Sequence, residues 1–281
     1  MNDITKSMFE SIKTALVRQD TGNSSYRDIL RMEPDKTYVV RLLPNLTDPS
    51  KTFFHYFQHS WNSFATGKFI SLISPSTYGE RDPISELKYK MLRSGSDEDK
   101  KKASSLVWAE RWLVNVYVVE DPTNPDNNGK VKILQFGKQL HKIIMRAIDG
   151  DDADDLGPRV FSLKSDGVNL KIVCETQGGY KTYVSSKFSM PKALDNVNDK
   201  TSKDILNGVH DLEKINPVKS YDELKKMLDE HFLVVDASDN DNLDSKDTTK
   251  EPVLAAVPAK SQPSNEVDDD EVKRLLDGID E

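Results

Sequence analysis

The stretch from Trp112 to Ile148, WLVNVYVVEDPTNPDNNGKVKILQFGKQLHKIIMRAI, limits the folds open to this chain more than any other. Two β-rich runs, near Trp112–Glu120 and Lys130–Phe136, are joined by DPTNPDNNG, whose prolines and Asn-Asn-Gly suit only a turn or loop. From Gly137 to Ile148, Leu140, Ile143/Ile144 and Ala147/Ile148 repeat at helical spacing, with Lys138, Lys142 and Arg146 around them. Strand, turn, strand and basic amphipathic helix therefore follow one another without a break.

The rest of the chain extends this pattern. KTYVVRLLP (Lys36 to Pro44), Thr52 to Trp61 and Gly67 to Ser74 read as strands; Ile84 to Gly95 and the charged Asp97 to Trp112 read as helices inserted between them. RVFSLK, GVNLKIVCET and the tyrosine-bearing GGYKTYVSSKF (Gly178 to Phe188) complete the β-rich part. Ser220 to Phe232 opens with a Ser-x-x-Glu capping box and predicts a closing helix. Short strands at irregular spacing with helices between them predict a mainly β, α+β fold built on a small closed barrel. Ile4, Met8, Ile12 and Ala15/Leu16 place a further helix before the Asp20–Ser25 loop, so residues 1–22 form an arm outside a core of residues 23–235.

Charge is distributed unevenly. From Asp236 onward there are fourteen Asp/Glu against five Lys/Arg, leaving 33 acidic and 34 basic residues on the preceding 235. The body is near neutral and can hold basic patches, while residues 236–281 are acidic and too polar to order themselves. The single cysteine, Cys174, excludes an intramolecular disulfide and fits a reducing compartment. No apolar run reaches membrane-spanning length, and the Met1–Asp3 start lacks a secretory signal, so an intracellular protein is expected.

Aromatics interleaved with cations are what a single-stranded nucleic acid needs: rings for its bases, charge for its backbone. The candidate stackers are Phe69, Trp108, Trp112, Phe136, Tyr180 and Tyr183. Candidate phosphate partners are Arg41, Lys68, Lys88, Lys90, Arg93, Arg111, Lys138, Lys181 and Lys187. Each of these aromatics also has a reading as core, and Trp108 and Trp112 stand at the i,i+4 spacing of two residues that pack together. Asp149, Asp151, Asp152, Asp154 and Asp155 suggest a divalent-metal nuclease or a solvated acidic loop, and they lack a Lys or His partner nearby. A scaffold that binds only proteins is the third reading. His55 and His59 on one strand lie too far apart to chelate one ion.

Residues 112–148 resemble the helix-destabilising, single-stranded DNA-binding proteins of the T-even-type bacteriophages, through VNVYVVEDPxxPxNxGKV and the following FGK plus helix. The likeness extends to YVVRLLP, to GKF at Gly67, to GYKTYVSSKF and to the acidic Asp/Leu tail. It implies an oligonucleotide-binding (OB) barrel with an insertion subdomain at about residues 52–111, and sequence-independent coating of single strands in replication, recombination and repair in the host cytoplasm. It further implies an arm for cooperative self-association along DNA, here keeping only Lys6-Ser7 of the basic motif. The tail would recruit phage replication and recombination proteins through Asp268, Asp269, Asp270, Leu275, Leu276 and Ile279. Arg41, Phe69, Trp112, Lys138, Tyr180 and Tyr183 fall on or beside positions lining the family's DNA cleft. The family's zinc ligands, one His and three Cys, correspond here to His59, Ser74, Asp82 and Ser85. Serine hydroxyls do not replace thiolates on zinc, so the metal is expected to be lost, with Ile70, Leu72, Ile84 and Leu87 holding the subdomain.

Overall fold

The computed structural model describes residues 28–195 and 197–233. The expected arm with Lys6 and Ser7, and the expected tail with Asp268, Asp269, Asp270, Leu275, Leu276 and Ile279, lie outside the described residues. Among the described residues eight strands form one sheet: β1 (Lys36–Leu43), β2 (Phe53–Asn62), β3 (Phe69–Ile73), β4 (Val107–Glu120), β5 (Val131–Phe136), β6 (Leu170–Gln177), β7 (Tyr180–Thr182) and β8 (Lys187–Phe188). Their order is β3-β2-β4-β1-β6-β7, with β5 also on β4 and β8 on β6. Among the described residues five helices accompany them: α1 (Pro83–Arg93), α2 (Asp97–Ser104), α3 (Lys138–Asp149), α4 (Asp199–Asn207) and α5 (Tyr221–His231). The chain is thus a strand-rich α+β protein, as expected.

Two compact units share these elements. The first holds Leu72–Glu80, Trp108–Lys219 and the described residues up to His59; the second holds Ser60–Ser71, Arg81–Val107 and the described residues from Ser220 on. In the first unit, Val114, Val116 and Val118 of β4 alternate toward one face, as period-two geometry dictates, and meet Tyr38, Val40 and Leu42 of β1. Leu134 and Phe136 of β5 close on the same cluster, and α3 covers it with Leu140 and Ile144. The antiparallel β4–β5 register pairs Trp112 with Phe136 and Tyr117 with Val131, so the DPTNPDNNG segment is the connection the composition demands. In the second unit α1 packs against α2 and α5, with Ile84, Met91, Leu106, Leu224, Leu228 and Phe232 buried.

Three local expectations change. The segment from Asp97 to Trp112 is helical only to Ser104; the helix-forming DEDKKKAS gives way to Val107 and Trp108, which start β4. Trp108 and Trp112 therefore share a strand face rather than a helix face. RVFSLK is no strand, because Pro158 fixes the start of a 3-10 turn, Gly157–Phe161, that buries Val160 against Ala147 and Val168. Helix α4 was not anticipated; an Asn198–Thr201 capping box starts it.

Candidate nucleic-acid interface

Strand alternation places Phe53, His55 and Phe57 of β2 on the face that carries Trp108, Glu110 and Trp112 of β4. The rings of these residues form a continuous series. Trp108 stacks on Phe57 with centroids 4.6 Å apart, and His55 lies 5.1 Å from Phe57 and 5.0 Å from Trp112. Trp112 then stacks on His141 of α3 at 4.0 Å and on Phe136 of β5 at 6.1 Å. Phe136 meets Phe53 edge-on, and Phe53 meets Phe161 in the same way. Exposure varies along the series: His55, at its middle, is exposed, Trp108 and Phe57 are half-buried, and Trp112 and Phe136 are buried. Trp112 and Phe136 anchor the series in the main core.

Charge sits on this face as well. Glu110 Oε1 lies 2.8 Å from His55 Nε2, and Glu110 Oε2 lies 3.8 Å from Lys138 Nζ at the start of α3. Burial holds the His141 imidazole below its ordinary pKa, with Glu110 opposing the shift and His55 adding to it. The N-terminus of α3 also fixes the tyrosine segment: Gln139 Oε1 accepts from Tyr183 N (2.7 Å) and from Thr182 Oγ1 (3.2 Å). Tyr183 is half-buried against the main core. Tyr180 stands on a β6–β7 hairpin whose Gly178 and Gly179 have φ of +59° and +86°, a two-residue turn that side-chain-bearing residues rarely form. Half of the Tyr180 surface is open. Lys181 Nζ donates to Met32 O at 2.8 Å, and Lys187 is exposed on β8.

The structure brings Trp108, Trp112, Phe136 and Lys138 together and puts Tyr183 on the same helix terminus. It does not bring Arg41 to a surface. Arg41 is fully buried, with Nε donating to Asn169 Oδ1 (2.8 Å), Nη1 to Ser162 O and Nη2 to Lys192 O (2.9 Å). Burial lowers its pKa to about 10, and Asp166 acts in the opposite direction. Arg41 is therefore a strut joining β1 to two loops, with no surface left for a phosphate. Arg111 is also removed from the ring face, since it follows Glu110 and precedes Trp112 in a strand and so points to the other side. Phe69 is exposed in the second unit, as are Lys68, Lys90 and Arg93, the last lying over the Tyr89 ring at 4.3 Å. His55, Phe57 and His141 were not among the stacking rings expected from the sequence. Their period-two and i,i+3 relations to Phe53 and Lys138 carried the signal.

The other candidate sites have ordinary structural uses. Arg146 pairs with Asp151 (3.8 Å) and Asp152 (3.3 Å) in the acidic turns after α3. Among the described residues no group of three or more His, Cys, Asp or Glu is placed to hold a metal ion. Ser74 accepts from Ser76 N as the cap of the 3-10 turn Pro75–Tyr78, and its hydroxyl lies 2.7 Å from that of Ser76. Asp82 Oδ1 caps α1 by accepting from Ile84 N and Ser85 N, and Ser85 Oγ donates to Asp82 Oδ2. His59 is buried. Hard hydroxyl and carboxylate oxygens committed to capping do not fit the thiolate-rich site that the family resemblance implies. Cys174 is buried, and burial raises its pKa against the effect of Tyr183, which keeps it a thiol. No helix among the described residues is long and apolar enough to cross a membrane.

A family model described as gp32 DNA binding protein like matches residues 35–232. The chain is 27% identical over 190 residues to the single-stranded DNA-binding protein of Enterobacteria phage T4, and 26% identical over 190 residues to that of Enterobacteria phage T2. Each match covers 66% of this chain and 62% of the relative, so the chain spans less than two thirds of the length of these relatives.

Proposed function

The chain belongs to the family of gp32-like DNA-binding proteins, and from that premise we propose that it binds single-stranded DNA, without chemical turnover, on the ring face of β2 and β4. The observation that carries this reading is the continuous ring series from Trp108 through Phe57 and His55 to Trp112, with Lys138 near it through Glu110. Bases stack on Trp108, Phe57 and His55, each stack contributing about 1–3 kcal/mol without regard to sequence. Lys138, Lys187 and the hairpin bearing Tyr180 and Lys181 guide the backbone. The sheet serves as an oligonucleotide-binding barrel, and the protein coats transient single strands during phage replication, recombination and repair in the host cytoplasm.

Three further parts of the reading rest on the family resemblance and on local chemistry. Residues 1–22 promote cooperative self-association, and the acidic residues 236–281 recruit replication and recombination proteins. The fold holds together without zinc, because Ser74 and Asp82 supply helix caps where thiolates would be needed.

Titrating the protein with oligo-dT at several salt concentrations tests the central claim. Tryptophan emission is expected to fall on binding, and log affinity to fall linearly with log salt, by about 0.7 per phosphate neutralised. Absent or salt-independent binding overturns the reading, and degradation of the labelled strand with magnesium replaces it with a nuclease.

A further inference from the structure

We propose that Glu110 determines which nucleic acid this face accepts: its carboxylate turns away phosphates and leaves room for bases, so it sets the preference for single strands over duplex. The inference rests on the single-strand reading above. Glu110 is two residues from Trp108 and two from Trp112 on the same strand face, so roughly 7 Å of rise separates it from each. A strand whose bases lie on those rings puts base edges over the carboxylate and carries its phosphates outward. Base edges of cytosine and adenine present amino donors that a carboxylate accepts. Duplex DNA has no free ring faces to offer. It meets the same surface with phosphates first, and there it faces a fixed negative charge.

The immediate surroundings fix that charge in place. Glu110 has only 23% of its side chain exposed, so water screens it less than a surface acid. One oxygen is held by His55 and the other faces Lys138, which fixes the carboxylate on the ring face. Lys138 is the cation that an incoming duplex phosphate would seek, and Glu110 already attracts it. A face built only to attract DNA would carry an amide or hydroxyl at this position.

The test compares Glu110→Gln with the full-length wild type on oligo-dT and on a duplex of equal length, by fluorescence anisotropy at fixed salt. Asp126→Asn, the same charge change in the exposed β4–β5 connection, is the control. The ratio of duplex to oligo-dT affinity is expected to rise roughly 5–10-fold in Glu110→Gln, the scale of one partly screened charge. The control is expected to leave both unchanged. Glu110→Ser removes the same charge with a smaller side chain, should glutamine disturb the packing. An equal rise for both ligands, no change for either, or a matching effect of Asp126→Asn overturns the proposal. Loss of both would make Glu110 a strut for His55 and Lys138 instead. Failure of the wild type to bind oligo-dT would be a different result, overturning the single-strand reading itself.

Discussion

The Trp112 indole lies against the His141 imidazole with ring centroids 4.0 Å apart and an interplanar angle of 19°. Burial disfavours the protonated form of that histidine, so the stack is most stable with a neutral imidazole.

Stability should therefore depend on pH through His141. Its folded pKa lies below the ordinary value near 6.5, so the unfolded chain takes up the proton first as pH falls. The contribution is fully present above about 6.5 and is lost as pH drops from there through the folded value. Thermal melts at pH 7.5 and 5.5 check this. His141→Phe should melt over a narrower span between the two pH values than the wild type, and an equal span would remove His141 as the source.

Gly167 and Arg41 make a second prediction. A Cβ built at Gly167 would collide with Arg41 Nη1 and with Ser162 O. Gly167→Ala is expected to destabilise the protein by about 1–3 kcal/mol, the range for overpacking a filled site. Arg41→Leu should cost more, since it strands Asn169 Oδ1 and the carbonyls of Ser162 and Lys192 at roughly 1–3 kcal/mol for each buried group left unmet. Urea denaturation measures both. If Arg41→Leu keeps its stability and instead loses salt-dependent binding to oligo-dT, Arg41 returns to the list of phosphate partners.

The two tyrosines of the hairpin segment should behave differently. Tyr180→Ala is expected to weaken single-strand binding by about 1–3 kcal/mol and leave the melting temperature nearly unchanged, because half of Tyr180 is open. Tyr183→Ala should lower both, because Tyr183 packs on the main core. Equal melting curves for the two variants would show that Tyr183 contributes nothing to packing.

Removal of metal should have no effect. Melting with and without a strong zinc chelator is expected to coincide, and Asp82→Ala should cost about 0.5–2 kcal/mol as the loss of a helix cap. A chelator-induced drop in melting temperature, or one zinc per chain by elemental analysis, would contradict this.

Much of this architecture was legible in the sequence. The β4–β5 connection announced itself through DPTNPDNNG, α3 through Leu140, Ile144 and Ala147, and α5 through Ser220 and Glu223. Each signal is local, lying within a few residues of the element it starts or ends. Arg41 was misread because its surroundings are not local: its partners come from the loops around Ser162, Asn169 and Lys192. The ring series was half visible for the same reason. Trp108 and Trp112 belong to one strand, but Phe57 and His141 reach them only after β2 and α3 are in place. Arg111 could have been excluded by counting alone, since alternate residues of a strand face opposite ways.

The second unit draws on Ser60–Ser71, Arg81–Val107 and the described residues from Ser220 on, and within it Tyr221 donates to Glu86 Oε2 at 2.8 Å. More than one hundred residues of the first unit separate α2 from α5 along the chain. During synthesis, α1 and α2 leave the ribosome long before α5 exists to pack against α1. At about 5–20 residues per second, that leaves them without their third helix for several seconds or more. Translation thus imposes a schedule in which the ring face can be complete while the second unit still waits for its last helix.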